Sequence, residues 1–137
     1  MNIILSIKPK WAELIYSGKK TIEWRNSWPK YNMFEFQRVE RVFLYETAPV
    51  KKITGFFILN DPPVFLVSNL DSPNNQCLLE MGCVPKEDLK KYKGNNDVLF
   101  GWMIGKVTRF PEPWGLEMVN LKRPPQSWCY DYSDLPF

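Results

Sequence analysis

IKPKWAELIYSGKKTIEWR, Ile7 to Arg25, is the stretch whose reading decides the fold. Pro9 suits the first turn of a helix, where its missing N–H would have no intrahelical partner. Trp11, Leu14 and Ile15 then fall at i, i+3 and i+4 and form one apolar stripe to bury. Gly18 takes the left-handed conformation that ends a helix without a Cβ penalty. Beyond it the period changes to two: Thr21, Glu23 and Arg25 point one way, Ile22 and Trp24 the other. The stretch predicts a helix, a stop, and a strand with a carboxylate and a guanidinium on one face. Strict alternation carried back to Lys20 puts its amine on the opposite face. Glu23 and Arg25 either satisfy each other or form the floor of a site.

The chain around this unit has 137 residues, the size of one domain. A chain of that length buries about 65–70% of its extended surface, so it folds without a disulfide or a metal. Aromatic residues reach 15%, with six Trp, six Tyr and nine Phe. So many rings are hard to bury completely, which predicts some exposed or lining a pocket. Net charge is only +3, but residues 1–30 hold six Lys/Arg against two acids (+4), and residues 61–97 hold four against six (−2). That polarity suits attraction of phosphate to the N-terminal third.

Histidine is absent, and Cys77, Cys83 and Cys129 show no CxxC spacing. These facts exclude a Ser-His-Asp or Cys-His pair and argue against a zinc site. No cofactor and no metal are expected, and the thiols read as free in a reducing compartment. The opening MNIILSIKPK has too short an apolar run for a signal-peptide core, and no stretch approaches the ~20 apolar residues of a membrane span. The expectation is a cytoplasmic protein that does not enter membranes.

Residues 2–7 read as a short apolar strand. RVFLYET (41–47) and ITGFFILN (53–60) read as an antiparallel pair, with Gly55 marking a bulge or a close backbone approach. Asp61-Pro62-Pro63, Ser72-Pro73 and Pro85 each look like a helix start, which predicts a helical insert over about 61–96. VLFGWMIGKVTRF (98–110) returns to strand, and its two glycines suit a strand coiling around a barrel. Trp128 and Tyr130 alternate like a last short strand. Together these describe one α+β domain over 1–137 with a small curved or closed β-barrel.

Gly18-Lys19-Lys20-Thr21-Ile22-Glu23-Trp24-Arg25 fits G-x-K-x-x-E-x-R after a Lys-Pro helix, and so resembles the signature of the ASCH family in the PUA-like superfamily. Leu5 to Pro9, Tyr45 to Val50, Ile53-Thr54-Gly55, Gly101 to Phe110 and Pro124 to Ser127 resemble further family segments in the same order. The resemblance implies a PUA-like barrel with flanking helices and a cleft between barrel and first helix. Relatives bind RNA, some seating a modified base in an aromatic cage, and a few ASCH proteins are amidohydrolases on N(4)-acetylcytidine. Their catalytic lysine falls on Lys20, but their threonine falls on Glu23, so that triad is not reproduced.

The leading expectation is therefore a module binding RNA, a nucleotide or a modified nucleoside. An arginine clamps phosphate with two parallel hydrogen bonds, lysine adds a point charge, and a glutamate accepts from an exocyclic amine. Lys20, Glu23, Arg25 and Lys8 are the polar candidates, with Trp28, Tyr45 and Trp128 as stacking faces. Glu46 either adds a carboxylate to the cleft or is an ordinary exposed strand residue. A second reading is a small hydrolase of amidohydrolase or nuclease type, with Lys20 as base and Glu23 as its partner. A third is a protein-interaction module built on the helical insert.

Overall fold

The structure, a computed structural model, describes residues 1–29 and 39–131, with only the backbone path given for 61–64. The predicted opening unit is present. β1 (Asn2–Ile7) leads into α1 (Pro9–Tyr16), which has Pro9 in its first turn and ends before Gly18 at φ 82°. β2 (Ile22–Arg25) follows. The buried side of α1 is Ala12 and Ile15; Trp11 and Leu14, two of the three residues of the expected stripe, are half-buried beside it.

β3 (Arg41–Glu46) and β4 (Lys52–Val67) form the expected antiparallel pair, and their register shifts between Leu44 and Tyr45. The insert is shorter than its sequence indicates. Residues 61–67 are not helical but the end of β4, where Val64 to Val67 pair with Trp102 to Leu99. Asp61-Pro62-Pro63 has the chemistry of a helix start, but the neighbouring strand supplies partners that a helix would forgo. Helical structure occupies residues 73–93: a 3-10 turn (Pro73–Asn75), α2 (Gln76–Met81) and α3 (Lys86–Lys93). β5 (Leu99–Trp114), a second 3-10 turn (Leu116–Val119) and β6 (Trp128–Asp131) complete the described chain.

One six-stranded sheet runs in the order β2-β5-β4-β3-β1-β6, with β1 parallel to β3 and its other pairs antiparallel. Its inner face, led by Ile3, Leu5, Val42, Leu44, Phe57 and Trp102, packs against α1. On the reverse of β2, Ile22 and Trp24 pack with Leu79 and Leu89 of the insert. On the reverse of β1 and β3, Ile4, Phe43 and Tyr45 pack with Val119.

The sheet curls until its first edge meets its last. Arg25 of β2 donates through Nη2 to the carbonyl of Ser6 in β1 (2.8 Å) and through Nη1 to Ser127 Oγ, just before β6 (3.1 Å). Nearby, Trp102 Nε1 donates to the Ser27 carbonyl and Trp128 Nε1 to Ser27 Oγ, each at 2.9 Å. Side chains thus close a half-barrel whose backbone ladder is open. No helix among the described residues is long and apolar enough to cross a membrane.

Candidate nucleic-acid interface

β2 begins at Ile22, so Lys20 lies ahead of the strand and is not bound by its alternation. Its side chain turns inward until only 1% is exposed. Nζ donates to the Gly82 carbonyl at 2.5 Å and lies 3.4 Å from Glu23 Oε2. Glu23 Oε1 accepts from Arg25 Nε at 3.0 Å. The three signature residues thus form one buried cation–anion–cation row. Glu23 Oε2 makes no hydrogen bond among the described residues.

Burying charges is costly unless geometry and hydrogen bonds compensate, and here each charge faces an opposite one. It binds the insert as well. Thr21 N donates to Met81 O (2.9 Å), Cys83 Sγ meets Lys19 O (3.3 Å), and a Cβ on Gly82 would strike the Trp24 ring. The Lys20 ammonium is held by one hydrogen bond to the Gly82 carbonyl and one ion pair with Glu23. Arg25 is similarly engaged: each of its three nitrogens holds a protein acceptor, and the phosphate-clamping fork is occupied by the barrel seam.

The remaining candidates divide. Trp28 and Trp128 are half-buried at the seam beside Arg25. Trp128 stands edge-on to Trp102 (5.5 Å between centroids) and to Tyr130 (5.3 Å), and Trp28 packs at 6.2 Å from Phe100. Trp11 lies 5.8 Å from Lys20 Nζ. Lys8 is exposed at the start of α1. Tyr45 is buried on the reverse face of β3 with Phe43 and Ile53, on the side away from Val42 and Leu44. Glu46 is buried, not the exposed strand residue its pattern indicates.

Three residues that the pattern did not single out are essential to the geometry: Ser6, Ser27 and Gly82. Each contributes a backbone carbonyl, which no side-chain motif marks. Among the described residues no group of His, Cys, Asp or Glu is arranged to hold a metal ion, and the three cysteines are free.

Residues 5–64 match the ASCH domain model. The match covers 60 of the 137 residues, and over them the chain resembles ASCH proteins. Solved structures with this fold include ASCH from Zymomonas mobilis, with a TM-score of 0.75 and 21% identity over 94% of this chain and 86% of that one. A tyrosine-to-phenylalanine variant of that ASCH protein gives 0.73 and 20%, covering 94% and 88%. The curled sheet with flanking helices is thus the ASCH, PUA-like fold. Among curated proteins, an ASCH domain-containing ribonuclease of Zymomonas mobilis subsp. mobilis is 38% identical over 56 residues, 41% of this chain and 34% of the relative. A protein named ATP synthase subunit alpha from Ureaplasma parvum is 23% identical over 129 residues, 94% of this chain and 15% of the relative. The aligned region of this chain therefore spans about a third or less of those relatives' lengths.

Proposed function

We propose that this chain binds single-stranded RNA at the barrel seam, with bases on the half-buried rings and the phosphate chain drawn by the basic N-terminal third. The observation that supports it best is the fixed aromatic rim: half-buried Trp128, tied to Ser27 Oγ, and half-buried Trp28, packed on Phe100, next to the Lys20–Glu23–Arg25 row. Rings held this way stack without ordering cost, and each base so stacked contributes about 1–3 kcal/mol. With Arg25 engaged by the seam, the exposed Lys8, Lys10 and Lys19 are available to meet phosphate among the described residues of that third. The test is a titration with single-stranded RNA at two salt concentrations, followed by tryptophan fluorescence. Binding that weakens as salt rises, and that falls tenfold or more in Trp128→Ala, is expected. No binding at low salt, or binding indifferent to salt, refutes phosphate-led recognition.

The name of the ribonuclease relative favours a second reading, cleavage of the bound RNA. In that case Lys20 acts through its field on the developing charge, because Nζ donates to the Gly82 carbonyl and is ion-paired with Glu23. Incubation with end-labelled RNA decides it: intact RNA at enzyme excess removes this reading and leaves the binding module.

A further inference from the structure

Tyr92, in the last turn of α3, brings the insert up to the barrel seam. Arg25 pairs with Phe100 at the end of the β2–β5 ladder, so Asn26 is the first residue to leave the sheet there. Asn26 holds Tyr92 at two points. Its Nδ2 donates to the Tyr92 carbonyl at 3.0 Å, and its backbone N–H meets the phenol oxygen at 3.4 Å. Ser27, the next residue, holds Trp128, and Trp28 after it packs on Phe100. Three consecutive residues thus gather Tyr92, Trp128 and Trp28 into one neighbourhood, since adjacent Cα atoms lie about 3.8 Å apart.

The Tyr92 ring is not part of the core. Leu89, one turn earlier, packs with Ile22 and Trp24 of β2 and is 2% exposed, whereas Tyr92 is 43% exposed. The helix that presents the ring is fixed by Leu89 and by Lys86 and Lys90, which hold Asp71 at 3.2 and 3.0 Å. Charge along α3 is sorted as well: Glu87 and Asp88 lie in the first turn, and Lys90, Lys91 and Lys93 in the last, beside Tyr92. Lys90 is engaged by Asp71, and Lys93 donates to the Asn96 carbonyl (2.7 Å). Lys91 is exposed and has no acceptor among the described residues. The lysines suit the negative end of the helix dipole, but the dipole gives no reason for an exposed ring.

A single exposed tyrosine is ordinary. One that is held by hydrogen bonds next to other rings, with a free lysine beside it, has the chemistry of a single-strand site. Aromatic faces there take successive bases, and basic groups follow the phosphates. We propose that α3 extends the RNA-binding surface beyond the seam, with Tyr92 stacking one base and Lys91 meeting an adjoining phosphate. The ring acts by its face, which the bonds to Asn26 orient. The proposal rests on the RNA-binding reading and gives that surface a further subsite, supplied by the insert.

The experiment is an anisotropy titration of a labelled, mixed-sequence single-stranded RNA with the whole chain over a range of salt concentrations. Tyr92→Ala removes the ring and keeps the Asn26 bond to the main-chain carbonyl; affinity should fall by at least about tenfold. Tyr92→Phe keeps the ring and loses only the hydroxyl contact; it should bind within about twofold of the parent. Lys91→Gln should lower the slope of log affinity against log salt by about 0.7, the value for one phosphate contact on a single strand. Circular dichroism checks the fold of each variant. Tyr92→Ala binding like the parent overturns the subsite and leaves the seam. Equal losses in Tyr92→Ala and Tyr92→Phe overturn stacking in favour of a purely structural clamp, and an unchanged salt slope in Lys91→Gln overturns the part given to that lysine. A parent protein that binds no RNA at low salt removes the interface and the subsite together. Weakened binding in Tyr92→Ala beside unchanged binding in Trp128→Ala supports the subsite and removes the seam reading.

Discussion

Lys20→Met tests whether the signature lysine is a structural bolt. The substitution keeps the unbranched chain and removes the ammonium. The buried Gly82 carbonyl then loses its donor, and an unpaired buried acceptor costs about 1–3 kcal/mol. Glu23 also loses the cation 3.4 Å from Oε2 while Arg25 still holds Oε1. Removing one partner of a buried ion pair typically costs about 3–5 kcal/mol, and the surviving Arg25 contact places this case at the lower end, about 3 kcal/mol. Native domains have about 5–15 kcal/mol in hand, so the variant still folds. With a urea m-value of about 1–3 kcal/mol/M, the midpoint should fall by roughly 1–3 M. Urea denaturation followed by tryptophan fluorescence measures it, and RNA titration is then run on the folded variant. A cost below about 1 kcal/mol together with complete loss of RNA binding would refute the bolt and return Lys20 to the ligand.

Three further outcomes are expected. Gly55→Ala drives a methyl into the Tyr16 hydroxyl and the Thr108 carbonyl, and should destabilise by about 1–3 kcal/mol in the same urea assay. Burial pushes the Tyr16 phenol from 10.0 up to about 12, more than its Thr54 bond lowers it. Below pH 10 both states keep this proton; between pH 10 and 12 only the unfolded state loses it, so stability falls as pH rises through that window. Tyr16→Phe should flatten the part of the decline in urea midpoint that belongs to this group. Finally, burial and then Asp131 push the Cys129 thiol up, whereas Cys77 is exposed. Timed alkylation read by mass spectrometry should therefore modify Cys77 first and Cys129 last.

The local readings that succeeded were those settled by a few neighbouring residues. Pro9 opened α1, Gly18 closed it, and alternation set β2, because capping and pleat act over one or two turns of chain. Gly55 marked a real bulge. Residues 61–67 read as a helix start because Asp-Pro-Pro has that chemistry, and became strand because β5 lies alongside with a free ladder edge. Glu46 looked exposed because a single terminal strand position gives no sign of the face it will meet.

The sequence by itself determined the opening unit and the identity of the charged trio, since each rests on spacing within about ten residues. Only the tertiary structure decided what that trio touches. Arg25 reads equally as Glu23's partner and as a phosphate clamp until the sheet curls and brings it to Ser6 and Ser127, 19 and 102 positions away. Lys20 likewise turned inward because the insert delivers the Gly82 carbonyl from 62 positions downstream. Tyr16, Thr54 and Arg109 share no motif at all; α1 and the irregularity at Thr54 bring them together.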